Sequence, residues 1–474
     1  MSKGYMYTQG DILIEPYKFQ KITKLKIIRE LNEHAKLYIS GIIDDESADK
    51  YVETADAESS IKISLKDNKG TMINVFEGIV TKIGINATNN VRTLEVEALS
   101  NTFLLDIKKK NRTFQNENHT YKNVFSEIIS DYNDVQILNY ITNQTKIDKL
   151  IVQYRETDWE LLKRLASHFN VPLVPECTLS GIKYFMGNSG CSTLYELDEF
   201  NYSIKKGIQE YRLKSENDIG DLNDINLISY EVATNIVMKL YNLVNFKGRS
   251  LYIYRTELEL INGVISNKYI LRDENGMKVR KIYNNKIVGI SLQGRVLDTE
   301  KDRVKVSLEI DGSPTQCEGS KWFEYSTVFS SPDGTGWYCM PEVADAIRLY
   351  FPDNVESNAY AISSVNLQSS NSSKRSDPSR KSIGTKYGKE IVMSPGAVEI
   401  IGNGNLLMRL TDDGGIEVNS DKSIVMSAGG DVSISGGGKV TIQGDAGINL
   451  TQAGANMTIQ DDVVMSGGKV NIQS

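Results

Sequence analysis

Three histidines (His34, His119 and His168) and four cysteines (Cys177, Cys191, Cys317 and Cys339) are the side chains of this sequence best suited to ligate a metal or attack a substrate. A zinc hydrolase helix needs two histidines and a glutamate in H-E-x-x-H, so that both rings reach one ion from the same face, and none of the three histidines is so placed. The cysteines form no C-x-x-C pair, which argues against a zinc knuckle or a redox motif, and they read as buried thiols. Neither a P-loop, a G-x-S-x-G elbow nor a G-x-G-x-x-G turn before a helix occurs. The carboxylate pairs Asp44-Asp45 and Asp412-Asp413 stand in polar, turn-like stretches and read as loop solvation. These patterns predict no catalytic, cofactor or metal site.

Composition narrows the class further. The 474 residues exceed the roughly 250–300 at which one core stops growing, so two to four domains are expected. With 40% hydrophobic and 24% charged residues, the chain has the balance of a folded protein. The net charge of −7 comes from interspersed charges, the longest basic block being Lys108-Lys109-Lys110, so nucleic acid is excluded as a partner. The opening Met1-Ser2-Lys3-Gly4-Tyr5 lacks a signal-peptide core, and no apolar run reaches the roughly 18 residues of a membrane span, which points to assembly in the cytoplasm.

The remaining information lies in how the chain is organised, and the C-terminal repeat is the most informative part of it. From Gly388 onward there is no Phe, Tyr, Trp, Cys or His, while 17 of the 37 glycines lie between Lys381 and Ser474. A unit of the form apolar-x-apolar-polar recurs with a period of eight: Ile416 and Val418, Ile424 and Met426, Val432 and Ile434, Val440 and Ile442, Ile448 and Leu450. The register then loosens through Met457 and Ile459, Val463 and Met465, and Val470 and Ile472, and an earlier copy is Ile391-Val392-Met393-Ser394. Because strand side chains alternate faces, each unit turns two apolar residues inward, and the Gly, Asp, Asn and Ala between units suit tight corners.

One such strand buries two apolar side chains, about 3–6 kcal/mol, against roughly 1–2 kcal/mol of backbone ordering for each of its eight residues. It must stack, either as a single-chain solenoid with three octads per coil or as three chains wound into a triangular prism. At about 4.8 Å per strand, roughly ten octads give about 16 Å of shaft in the first case and about 48 Å in the second. The second makes a needle, and a core without aromatic rings fits three equivalent residues converging on one axis.

Upstream, residues 285–366 show short alternating strands such as Arg303-Val304-Lys305-Val306-Ser307-Leu308 and predict a five-stranded Greek-key barrel of the OB type. Its aromatics Trp322, Phe323, Trp337 and Tyr350 are not interleaved with a basic stripe, so a scaffold role is expected rather than nucleic-acid binding. The Ser-rich run 368–378 reads as linker, placing a neck at 367–387 and the shaft at 388–474. In the first 280 residues the clearest helix starts at Thr157-Asp158-Trp159-Glu160, a capping box in which Thr157 and Glu160 satisfy each other's backbone donors, and Pro172 ends the run.

Two segments carry a family resemblance. Gly336-Trp337-Tyr338-Cys339-Met340-Pro341-Glu342-Val343-Ala344-Asp345-Ala346-Ile347 resembles the Gly-x-x-x-x-Pro-Glu-Val-Gly-Asp-x-Val pattern of VgrG and phage baseplate spikes, with Pro341, Glu342 and Asp345 matching and Ala344 standing for the family's glycine. Gln153-Tyr154-Arg155-Glu156-Thr157-Asp158-Trp159-Glu160-Leu161-Leu162-Lys163-Arg164-Leu165 is similar to a segment of VgrG and phage late-control protein D, and Lys386-Tyr387-Gly388-Lys389-Glu390-Ile391 resembles the family's entry into its β-helix. The resemblance implies a mainly β chain with an α+β hub of two barrel-like domains over 1–280, then the OB barrel, the neck and an intertwined trimeric β-helix. It also implies a homotrimer, a hexameric tail tube protein, baseplate wedge and hub proteins and a target envelope as partners, in a phage tail, R-type bacteriocin or related particle. With no histidine after His168, a separate small PAAR-like tip protein is expected to cap the shaft. About twenty residues between barrel and shaft leave no room for the lysozyme domain of some relatives. A tail-associated lytic or glycan-binding protein, and a type VI secretion VgrG, stay open as alternatives.

Overall fold

A computed structural model describes residues 4–44, 48–138, 144–188, 193–217, 219–312, 320–363, 366, 371–403, 405–469 and 471. The chain is mainly β and divides into two units, Met1–Leu367 and Gln368–Ser474. Among the described residues no helix is long and apolar enough to cross a membrane.

The larger unit is built on a twelve-stranded sheet whose two parts come from opposite ends of the hub sequence. Strands Ile12–Glu15, Ser60–Lys66, Met72–Thr88, Val91–Ser100, Lys36–Ile43 and Lys21–Glu30 pair in that spatial order. Arg249–Ile261, Val264–Arg272, Ile228–Thr234 and Tyr202–Lys206 continue the same sheet. The junction is the antiparallel pairing of Lys21–Glu30 with Arg249–Ile261, in which Ile27 faces Leu258. Alternation along the strands, as in Lys36–Ile43, sends every second side chain into a core. One core gathers Leu25, Ile27, Leu37, Ile63 and Phe76, and the other gathers Val244, Phe246, Ile253 and Leu271.

Among the described residues four α-helices decorate this frame: α1 (Ala48–Glu53), α2 (Tyr121–Ile129), α3 (Asp158–Ser167) and α4 (Ile208–Ser215). Helices α2 and α3 share a third core centred on Trp159, with Val124, Ile128, Leu162, Leu165 and Tyr184. Thr120 and Thr157 each open their helix with a capping box.

Within the same unit a smaller sheet runs in the order Trp322–Glu324, Arg303–Leu308, Ser291–Glu300, Ala346–Tyr350, Tyr360–Ser363. A parallel bridge between Tyr325 and Ala361 brings its two edges together, so the sheet closes on itself. Its core does not stop at the strands of 285–366: Leu150 and Val152 from the hub pack in it beside Val304, Val306, Leu349 and Phe351.

Pro341, Glu342 and Asp345 lie just before the strand Ala346–Tyr350. The Glu342 N–H donates to Asp345 Oδ2 at 2.8 Å, the Asp345 N–H returns to the Glu342 carbonyl at 3.0 Å, and Ala344 and Asp345 pin the turn to Val296. Ala344, where the related pattern has glycine, sits at φ +74, so a left-handed turn is present and the alanine carries its steric cost. Cys177 is buried, but Cys339 is exposed, which corrects the expectation of uniformly buried thiols: it falls in the loop between two barrel strands, outside the core. Cys191 and Cys317 lie outside the described residues.

The smaller unit contains two antiparallel meanders. The first runs through Lys381–Gly384, Glu390–Ser394, Ala397–Ile401, Leu407–Thr411 and Gly415–Asn419, and the second through Ile448–Gln452, Ala455–Ile459 and Val463–Gly467. Between them, from 420 to 447, there are no strands, only irregular segments broken by bends at 421–422, 429–430, 437–438 and 445–446. The expected stack of four-residue strands thus holds its period of eight in the bends but not in the pairing. Within one chain the segments starting at Ile424, Val432 and Val440 find nothing to pair with, and the flanking copies fold into hairpins instead.

Candidate functional site

Two features stand out: a buried charged strut at α3 and an unburied apolar shaft. The strut starts from the cap. Thr157 Oγ1 accepts from the Glu160 N–H at 3.1 Å and the Thr157 N–H donates to Glu160 Oε2 at 2.9 Å, while Thr157 Oγ1 also donates to Asp106. This fixes the first turn and aims Asp158 into a fully buried cage: Lys110 Nζ and the Tyr132 hydroxyl donate to its Oδ2, both at 2.6 Å, and Arg112 Nη2 and Gln153 Nε2 to its Oδ1 at 2.8 and 2.9 Å. Burial, then the bond to Asp158, push the Tyr132 hydroxyl well above its ordinary pKa, so it stays a donor.

Two turns on, Arg164 is enclosed. Nε and Nη2 grip both oxygens of Glu156 at 2.9 and 2.8 Å, Nη2 also meets the Val152 carbonyl, and Nη1 reaches Glu356 at 2.6 Å. Burial disfavours the cation, but Glu356 and Glu156 outweigh it and hold the guanidinium charged. Burial raises the Glu156 carboxyl above its usual range against the pull of Arg164. Since Glu356 belongs to the barrel, this guanidinium joins hub to barrel, and Thr113 bonding Asp311 twice at 2.6 Å and Asn284 bonding the Tyr154 carbonyl at 3.0 Å reinforce the seam. The arrangement ties the two parts of the larger unit together through buried polar contacts.

One constellation has the order of a nucleophile, base and acid. His34 Nδ1 lies 2.8 Å from Thr102 Oγ1 and its Nε2 3.3 Å from Asp106 Oδ2, under the Trp159 ring. Thr102 is 1% exposed and its hydroxyl is shared with Ser100 Oγ at 2.8 Å, so the trio braces α3 and presents no nucleophile. No group of three or more potential metal ligands occurs among the described residues.

His168, at the C-terminus of α3, has two buried ring nitrogens that meet no hydrogen-bond partner among the described residues. Burial, aided by Lys149, Arg164 and Lys281, lowers its pKa to about 3. The unfolded chain takes a proton there near pH 6.5 and the folded one does not, so its contribution to stability is whole above that value and is lost as pH falls toward 3. Between pH 7 and 5 the unfolding free energy from urea titration should drop, by up to about 1.4 kcal/mol per pH unit below 6.5, and His168→Phe should flatten that slope. A slope unchanged in the variant would assign the acid sensitivity elsewhere.

The shaft repeat residues lie where solvent reaches them. Ile416, Val418, Ile424, Met426, Val432, Ile434, Val440, Ile442 and Leu450 are all exposed, and Ile448, Met457 and Ile459 are half-buried. Val392 is the one buried hydrophobic residue among those described in this unit. Val470 and Ile472 fall outside the described residues. The hub has its own unpartnered face. Strand Tyr202–Lys206, at the end of the large sheet, is exposed throughout, and next to it stands Phe200 at 88% exposure. Helix α4 is inverted, turning Ile208 and Leu213 outward while burying Lys214 against Glu210 at 2.8 Å.

Comparison with known proteins adds the following. A family model described as the Alg8 N-terminal domain matches residues 17–174, a third of the chain. No curated protein sequence matches. An E. coli protein described as a type VI secretion component, structurally similar to the T4 bacteriophage tail proteins gp27 and gp5, matches with a TM-score of 0.52 at 11% identity, over 74% of this chain and 98% of that one. Two structures of a Francisella PdpA–VgrG complex match with TM-scores of 0.56 and 0.53, both at 10% identity. The first covers 84% of this chain and 76% of the other, and the second 87% of each. The sequence-based match points to a different family from these structures, and the architecture follows the structures: the chain has a fold similar to that of VgrG and of the type VI secretion component likened to the T4 tail proteins gp27 and gp5.

Proposed function

We propose that three copies of this chain form the central hub and spike of a contractile injection particle, phage tail, R-type bacteriocin or related system, with no catalysis of its own. The observation that carries the reading is the shaft: bends recur every eight residues from 421 to 446, yet the segments between them neither pair nor bury their aliphatic residues within one chain. Two more copies supply both missing partners, because in an intertwined prism the strand above and the strand below belong to other chains. The exposed edge strand Tyr202–Lys206 and the outward face of α4 offer the hub a contact of the same kind.

The barrel's strand order supports the middle of this plan. Counted along the chain it runs 3-2-1-4-5 and closes from 5 back to 3, the order of an OB-type barrel. On this reading the hub meets a hexameric tail tube protein and baseplate wedge and hub proteins, the barrel forms a collar, and the shaft, capped by a small PAAR-like tip protein, meets the target envelope. A type VI secretion VgrG is the second reading, favoured by the E. coli and Francisella structures, and uses the same assembly.

Light scattering of the purified full chain tests this. A mass near three times 53.0 kDa is expected. A monomer with a protease-resistant shaft would replace the prism with a single-chain solenoid.

A further inference from the structure

We propose that the hub holds a compact oxyanion on Arg29, in a cavity of about 170 Å³ between the strand Lys21–Glu30, the segment 174–177 and the turn 239–242. Arg29 is 5% exposed, and its Nη2 donates to the Val75 carbonyl at 2.8 Å. Its Nε is buried without a hydrogen-bond partner, and no carboxylate lies within ion-pair distance of the guanidinium among the described residues. A guanidinium carries five donors in a planar fork that matches two oxygens of a carboxylate or phosphate. Leaving such a cation buried and unpaired costs several kcal/mol, and interiors rarely tolerate it.

The carboxylate that lines the cavity, Glu176, is already engaged. Glu176 Oε2 accepts from Lys239 Nζ at 2.9 Å and its Oε1 from the Thr178 N–H at 2.7 Å, and Lys239 also donates to Thr178 Oγ1 at 2.8 Å. Burial works against the Glu176 anion, but these partners outweigh it and hold its carboxyl below the ordinary range. The charged residues lining the cavity are thus Arg29, Lys239 and Glu176, two cations against one anion. A singly charged oxyanion neutralises the remainder and takes the free donors. The volume equals about six water molecules' share of liquid, enough for phosphate or a carboxylate group with accompanying water.

Thermal unfolding of the full chain in a zwitterionic buffer tests this, with inorganic phosphate, sodium acetate or sodium chloride added at matched ionic strength. Phosphate or acetate should raise the midpoint saturably beyond the chloride control. A phosphate-only response names an inorganic oxyanion, and an acetate response names a carboxylate. Arg29→Met should abolish the response. Lys239→Met, at the solvent-exposed rim, removes one cation and leaves Glu176 facing the cavity, so it should fold and bind about tenfold more weakly. Equal responses to phosphate, acetate and chloride in the wild type, or unchanged affinity in Lys239→Met, would overturn the proposal.

Discussion

Ile424→Asp combined with Met426→Asp should reduce the scattering mass from three times 53.0 kDa toward 53.0 kDa and open the shaft to protease, whereas Val425→Asp, between them, should do neither. In one chain the three residues are alike: all are exposed, Val425 at 84% and Met426 at 75%. Only alternation along a strand separates them, by placing 424 and 426 on the axial face and 425 outside. In a three-chain layer each axial position repeats three times, so losing one isoleucine per chain removes roughly 5–9 kcal/mol of apolar burial, before the cost of confining three carboxylates together. Over two such positions the loss outweighs the stability of an ordinary assembly. If Val425→Asp disrupts the particle as strongly as its neighbours do, the shaft is not built from alternating strands.

What could be read in the sequence follows the range of the interactions concerned. The Thr157–Glu160 cap lies within one turn, and the period of eight is spelled out by glycines and paired aliphatics, so both are local facts. The mainly β character is legible in strands such as Lys36–Ile43, whose alternation mirrors a half-buried sheet. The strut is not legible: Glu356 is 192 residues from Arg164 and Asp311 is 198 from Thr113, and nothing local marks either carboxylate as a partner. The same holds for His34 and Asp106, brought together only by the sheet, and for the seam joining Lys21–Glu30 to Arg249–Ile261. Placing Leu150 and Val152 in the barrel core required the fold, because they lie more than 130 residues before the barrel strands they pack against. Helix α4 inverts the usual rule, burying Lys214 and showing Ile208 and Leu213, so pattern reading assigns its faces backwards.

Arg164→Met should cost the hub-and-barrel unit about 3–5 kcal/mol at pH 7. The guanidinium is 1% exposed and answers two carboxylates that are themselves 6% and 2% exposed, so its removal leaves Glu156 and Glu356 buried with no cation between them. Methionine keeps most of the volume, which isolates charge from packing. The pH dependence then identifies the cause. Deprived of Arg164, the Glu156 carboxyl, which burial already raises, loses the cation that pulls it down, so the folded state holds a proton that the unfolded state releases, and stability returns as pH falls. The wild type moves the opposite way between pH 7 and 5 because His168 resists protonation. Urea midpoints of the two proteins should therefore converge on acidification, and adding Glu156→Gln with Glu356→Gln to Arg164→Met should recover much of the loss at pH 7. Should Arg164→Met unfold with the wild-type midpoint at pH 7, the barrel does not lean on α3, and the load must cross between hub and barrel through the Thr113–Asp311 seam instead.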